Sequence, residues 1–311
     1  MYAIGIDIGG TNTDIGLVND EGKIIKRKNL PTARYTDAGK YADDLSDIIK
    51  SLLTEENVQV KGIGIGAPNG NFYTGCIEDA PNLNMKGNIY LAKMLEERLQ
   101  IPAVITNDAN AAAYGEMIYG GAKEMKHFIM FTLGTGVGSG IIIDGKLVYG
   151  HDGFAGELGH TIIVPNGRQC KCGRKGCVEQ YTSAGGIRKT CIEMMEQDPS
   201  YKGVLSIVPK ERLDSKAIGD AANNGDPLAI KVFEFTGEIL GLAMANAVAF
   251  SSPEAIFLMG GPVKAGDVLL SPVKKSFYRN VLSNYADKVK VMVSQLKQND
   301  VAILGAAALV S

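Results

Sequence analysis

Residues 127–149 run as an apolar strand (127–133), then Gly134-Thr135-Gly136-Val137-Gly138-Ser139-Gly140, then a second strand (141–143), the turn Asp144-Gly145, and a third short strand (147–149). Asp-Gly between apolar runs is a strong hairpin signal, so the stretch predicts an antiparallel three-stranded meander. The amino terminus has the same order: a strand over 2–8, Gly9-Gly10-Thr11, a strand over 13–18, Asn19-Asp20-Glu21-Gly22, and a strand over 23–28. Two such meanders, about 125 residues apart, predict a duplicated α/β fold with a cleft between its halves. A Walker-type loop needs Gly-Lys-Ser/Thr and a following helix, which neither turn has. A dinucleotide-binding loop is disfavoured because a strand follows Gly140.

Between and after the meanders, periodicity predicts helices over 41–53, 89–99, 109–117, 185–196, 215–223, 227–250 and 301–309. Strands are expected over 60–65, 103–105, 254–259 and 289–294, with mixed turn and helix over 263–276. At 311 residues the chain is long for one core, so two domains are expected. The net charge is −2 and no basic run occurs, which argues against nucleic acid and membrane surfaces as partners. No apolar run reaches the roughly 18 residues of a membrane span, and no signal peptide precedes the first strand. Five cysteines, three of them clustered, do not resemble a disulfide framework and fit a reducing cytoplasm.

Glycine turns expose backbone N–H groups that close around phosphate oxygens, and threonine hydroxyls add donors. Gly134 to Gly140, with four glycines in seven residues, holds more glycine than a hairpin needs. Asp7 precedes the first turn, where a carboxylate acts on phosphates through magnesium or its waters, or else caps the turn. Asp108 stands where a strand meets a helix, so it is either an N-cap or a general base toward an attacking hydroxyl. Asn107 beside it favours a site.

The 24 residues from Gly156 to Glu179 gather three cysteines, a histidine and two glutamates. Cys170, Cys172, Cys177 and His160 form the donor set of a closed tetrahedral zinc site, favoured over buried free thiols or an iron site. Fixing those ligands also fixes Glu157, three residues before His160, and Glu179, two after Cys177. Rigid acceptors of this kind suit sugar hydroxyls. His127, His151 and Cys191 read as structural or surface residues, and Cys76 lies in a turn-rich stretch.

With these residues in view, the chain resembles a sugar kinase of the ROK family (repressors, open reading frames and kinases), within the superfamily of hexokinase, actin and heat-shock chaperone ATPases. Asp7-Ile8-Gly9-Gly10-Thr11, Asn107-Asp108-Ala109-Asn110-Ala111, the second glycine loop, Glu157-Leu158-Gly159-His160 and Cys170 to Glu179 carry the resemblance. It implies an α/β, two-domain, ribonuclease H-like/actin-like ATPase fold with a duplicated βββαβαβα core. The implied domains are 1–118 with the terminal helix 298–311, and 119–297, with an interdomain cleft that closes on the sugar.

The resemblance further implies ATP and Mg2+ with a structural Zn2+ on His160, Cys170, Cys172 and Cys177. Asp108 would be the catalytic base, with Asn82 of Pro81-Asn82-Leu83, Asn107, Glu157, His160 and Glu179 on the sugar. Asp7, Gly9, Gly10, Thr11, Gly134, Thr135 and Gly136 would line the phosphates, and Gly260-Gly261 the adenosine side. The implied activity is transfer of phosphate to a hexose, glucose first, by a cytoplasmic homodimer or homotetramer of glycolysis and carbohydrate metabolism. N-acetylmannosamine, N-acetylglucosamine, fructose and allose are alternative substrates. The family also contains sugar-responsive repressors, which carry a DNA-binding helix-turn-helix before the kinase-like part; a first phosphate turn close after residue 7 argues against that reading. Departures from the family pattern are Asn12 where many members have lysine, no tryptophan after Pro81-Asn82-Leu83, and Gly66-Ala67-Pro68-Asn69-Gly70 in place of Gly-x-Pro-Gly.

Overall fold

Both meanders form, and each grows into a five-stranded sheet in the computed structural model, which describes residues 1–311. The strands are β1 (Tyr2–Ile8), β2 (Thr13–Asn19), β3 (Ile24–Leu30), β4 (Val60–Gly66), β5 (Gly70–Asn71), β6 (Cys76–Glu78), β7 (Asn88–Ile89), β8 (Ala103–Thr106), β9 (Phe128–Leu133), β10 (Val137–Ile143), β11 (Lys146–Leu147), β12 (Ala255–Gly260) and β13 (Lys290–Val293). The helices are α1 (Ala38–Glu56), α2 (Leu91–Leu99), α3 (Asp108–Tyr119), α4 (Glu179–Thr182), α5 (Ala184–Gln197), α6 (Ser215–Asn223), α7 (Pro227–Ser251), α8 (Asp267–Asn280) and α9 (Val301–Ala308).

One sheet has the order β3-β2-β1-β4-β8 and the other β11-β10-β9-β12-β13, the same plan twice. In the first, β1 to β3 are antiparallel while β4 and β8 run parallel to β1. In the second, β12 runs parallel to β9 and to β13. Register sets the functional ends. Asp7 pairs with Gly66, and Gly66 with Thr106, so three parallel strands stop on one line. Gly260 pairs with Leu133 in the same way. Ligands of open α/β sheets bind beyond such carboxyl ends.

The chain groups into two compact units, Met1–Lys126 with Gly140–Gly156 and Ser294–Ser311, and His127–Ser139 with Glu157–Val293. This division differs from the sequence-based boundaries chiefly at Gly140–Gly156. Gly140 lies against α3, where an added Cβ would stand 2.6 Å from the Ala113 Cβ and 2.8 Å from the Ala109 carbonyl oxygen.

In the first unit the alternation of β1 sorts its side chains. Ile4, Ile6 and Ile8 enter a core with Tyr41, Leu45, Ile49 and Leu52 of α1, while Ala3 belongs to a second cluster with Ile303, Leu304 and Ala307 of α9. The second face is glycine-lined. A Cβ on Gly5 would stand 2.1 Å from the Ile303 carbonyl oxygen, and one on Gly64 would stand 1.8 Å from that of Ala306. Helix α9 therefore rests on the sheet backbone itself, and it also meets α3, where a Cβ on Gly115 would stand 2.7 Å from the Gly305 Cα.

Several expectations needed correcting. The glycine loop ends at Gly136, since Gly138 and Gly140 lie within β10. The stretch before Cys76 is turn, as expected, and Cys76 itself is buried in β6 of a small sheet, β5-β6-β7, that short strands conceal from periodicity. Helix α2 starts at Leu91, because Asn88–Ile89 pairs as a strand; the turn and helix expected over 263–276 do form, as a short 3-10 turn and a full helix, α8.

Gly64→Ala should destabilise the protein by about 3 kcal/mol or more, because the blocked atoms are backbone and have no rotamer to yield. Thermal unfolding checks this; a midpoint within about 2 °C of the parent would show that the close approach is not required.

Candidate active site

The first unit brings Asp7, the Gly9-Gly10 turn, Asn82, Asn107 and Asp108 to the ends of β1, β4 and β8. The turn is closed by the Gly9 N–H donating to the Asn12 carbonyl at 2.9 Å. Beneath it, the Thr13 hydroxyl meets those of Thr32 at 2.7 Å and Tyr41 at 2.6 Å in a buried cluster. Gly10 packs on the Asn82 backbone, where a Cβ would stand 2.6 Å from the carbonyl oxygen. The turn that holds Asn82 is thus seated on the first glycine turn. From Pro81-Asn82-Leu83 alone this contact has no signal.

At α3, the N-cap role falls to Asn107, whose Oδ1 accepts from the Asn110 N–H at 2.6 Å. Its amide nitrogen remains as a donor suited to a hydroxyl. Asp108 is relieved of capping. It occupies the first helical position, its Oδ1 accepts from the Ala109 N–H at 2.8 Å, and solvent still reaches the side chain. Surrounding protein holds its carboxyl above the ordinary aspartate range, with the Ala109 N–H opposing. Asp7 is pushed up to about 7, first by burial and then by the negative charges of Asp108 and Asp14. Such a carboxyl is poorly charged at neutral pH without a cation. A cation such as Mg2+ would offset this clustered charge, and Asp7 is the residue that would face it.

The second unit assembles the knot. His160, Cys170, Cys172 and Cys177 each offer a donor atom, all within 4.8 Å of one another. Cys172 and Cys177 sulfurs are 3.6 Å apart, and Cys170 Sγ lies 3.7 Å from His160 Nδ1. A tetrahedron with Zn–S bonds of about 2.3 Å has S–S edges of about 3.8 Å, so the donor set fits zinc closely. The Arg174 backbone N–H, followed by its guanidinium, lowers the Cys172 thiol, while burial and then the neighbouring sulfurs raise that of Cys177. Nδ1 of His160 faces the donor set, which leaves Nε2 for a hydroxyl.

The segments that carry Glu157 and Glu179 both rest on the start of β10. The Val137 N–H donates to Glu179 Oε2 at 3.0 Å. Gly159 lies against the Val137 carbonyl, where a Cβ would stand 2.0 Å away, and the Leu158 N–H donates to Ser139 Oγ at 3.2 Å. Glu157 begins the 3-10 turn Leu158–His160.

The ROK family profile matches residues 3–311. The chain belongs to the ROK family. A glucokinase of Halalkalibacterium halodurans is 33% identical over 99% of this chain and 94% of its own length. A glucokinase of Thermotoga maritima is 32% identical over 100% of this chain and 97% of its own. A ROK family glucokinase from Streptomyces griseus, solved in complex with glucose and AMPPNP, superposes with a TM-score of 0.81 at 32% identity, covering 99% of each chain.

In this ROK member, Gly260 is the residue that β9 demands: its φ is +118°, and a Cβ would stand 1.8 Å from the Leu133 carbonyl oxygen. Gly261 lines a cavity of about 360 Å3 with Ser215, Lys216, Gly219, Asp220, Pro262, Lys264 and Ala265, of a size that takes a small ligand. Sequence reading missed the contribution of α6 to this cavity, since Ser215, Lys216 and Asp220 look like ordinary solvated positions. A larger cavity, about 550 Å3, lies under Val204, Leu205 and Val208 and contains none of the candidate residues.

Removing zinc with a chelator should weaken sugar binding by about ten-fold or more and ATP binding by less, because the knot carries Glu157, His160 and Glu179. Calorimetric titration of the metal-stripped protein with each ligand checks this. Equal losses would indicate general unfolding instead.

Proposed function

We propose that this chain is an ATP-dependent hexose kinase that phosphorylates a sugar hydroxyl, with the 6-hydroxyl of glucose as first substrate. The observation that carries the reading is the division of labour at α3: Asn107 caps the helix and Asp108 stays solvent-accessible with raised proton affinity. A base works best when its pKa approaches the working pH.

In this reading Asp108 takes the proton of the sugar hydroxyl as its oxygen attacks the γ-phosphorus, and ADP leaves. Asn82, Asn107, Glu157, His160 and Glu179 are each assigned to a sugar hydroxyl. Backbone amides of Gly10 and Thr11, and of Thr135 and Gly136, receive the phosphate oxygens, while the N–H groups of Gly9 and Gly134 close the two turns on the Asn12 and Gly136 carbonyls, and Gly260 and Gly261 flank the adenosine. Magnesium supplies charge neutralisation on the phosphates when bound. Zinc has a structural part only, since four protein donors close its shell.

The likeness to glucokinases along nearly their whole length supports glucose over N-acetylmannosamine, N-acetylglucosamine, fructose or allose. Changes beside Asn82, including the missing tryptophan, bear directly on that choice. No helix is long and apolar enough to cross a membrane. We take the enzyme to act in the cytoplasm as a homodimer or homotetramer, with domains 1–118 plus 298–311 and 119–297.

Asp108→Asn should lower sugar-dependent ADP release by about a hundred- to ten-thousand-fold while leaving the thermal midpoint nearly unchanged. A coupled assay across the five sugars checks this. A variant with parental turnover would remove Asp108 from the chemistry.

A further inference from the structure

Gly136 sits in the turn assigned to phosphate, yet the atom a side chain there would displace belongs to Glu179, on the side assigned to the sugar. A Cβ on Gly136 would stand 2.5 Å from Glu179 Oε2 and 3.4 Å from Glu179 Cδ. Its backbone φ lies outside the left-handed region, so conformational freedom does not explain the glycine. The same Oε2 accepts the N–H of Val137, the next residue, at 3.0 Å. On its other side the turn is tied to the same segment, because the Gly134 carbonyl accepts from the Ala184 N–H at 2.9 Å.

Glu179 is itself firmly held. It opens α4, and Arg168 braces that helix from below. The Arg168 guanidinium donates to the Gln180 carbonyl at 2.7 Å and Thr190 Oγ1 at 2.9 Å, pairs with Glu193, and lies 4.6 Å over the Tyr181 ring. The backbone of Glu179 is therefore fixed, and its carboxylate is the part that can move.

We propose that Glu179 is the latch of the second glycine turn: one carboxylate contacts the sugar and, by accepting the Val137 N–H, holds the end of the turn in place, coupling sugar binding to nucleotide binding. The proposal rests on the hexose-kinase reading for its sugar arm only. A carboxylate on a backbone N–H is a charge-assisted bond, stronger than a neutral one. Coupling through it is reciprocal, since a ligand that engages Glu179 changes the turn, and a ligand that engages the turn changes Glu179.

Two variants test this by calorimetric titration of the zinc-loaded protein with one ligand at a time. Gly136→Ala places a methyl where Oε2 now lies. The displaced atom is the end of a flexible side chain, so the fold is kept and the carboxylate swings away. Glucose Kd, measured with no nucleotide present, should rise about ten-fold. Glu179→Asp withdraws the carboxylate by one methylene, and Kd for the non-hydrolysable ATP analogue AMPPNP, measured with no sugar present, should rise about five-fold. If Gly136 serves phosphate alone, Gly136→Ala leaves glucose binding within about two-fold of the parent, and the latch is refuted. AMPPNP binding unchanged in Glu179→Asp refutes it equally, and that arm decides the matter if Gly136→Ala fails to fold. A parent protein that binds no hexose would overturn the kinase reading, while the AMPPNP arm would still test the latch.

Discussion

Close approach of backbone to backbone is the constraint on which this structure depends. Helix α9 covers the first sheet only because Gly5 and Gly64 put no side chain between the strand and the Ile303 and Ala306 carbonyls. The same device recurs where the chemistry is placed. Gly10 lets the Asn82 turn settle on the first glycine turn, and Gly159 lets the Glu157–His160 segment settle on Val137. Packing at this distance leaves little room for adjustment, which gives the side chains above it fixed positions. A kinase needs such fixity, because most of its catalysis is positioning and electrostatics.

The two sheets solve one problem twice. Each begins with a meander whose first turn is rich in glycine, and each adds parallel strands whose carboxyl ends align with it. In the first unit the aligned ends carry acid groups, Asp7 and, one turn onward, Asp108. In the second, Leu133 and Gly260 end beside uncharged glycine turns, and the charges come from the metal knot instead. Under the proposed function this becomes a division of labour: carboxylates for a proton and a cation on one unit, and a metal-ordered frame of hydroxyl acceptors on the other.

Much of this was legible in the sequence, for identifiable reasons. Strand–glycine–strand order is a local signal, and it predicted both meanders. Four metal donors within 18 residues are also local, and their atoms do converge. Less legible was anything set by partners distant in the chain. Nothing near Gly138 or Gly140 says that they continue a strand, since Gly140 is selected by α3. Nothing near Gly136 names Glu179, 43 positions later in the chain. Which residue caps α3 was open by composition. It turned on which of two adjacent polar side chains reached the Asn110 N–H, a matter of backbone geometry at Asn107. Small strands such as β5 to β7 carry too few residues for periodicity to register.

The most direct measurement of the central claim is the fate of the γ-phosphate. Phosphorus NMR of the zinc-loaded protein with Mg-ATP and glucose should show the γ-phosphate signal of ATP replaced, one for one, by glucose 6-phosphate and ADP. ADP accompanied by inorganic phosphate, or unchanged ATP with glucose and with each of the alternative sugars, would contradict the assignment of this ROK protein as a hexose kinase.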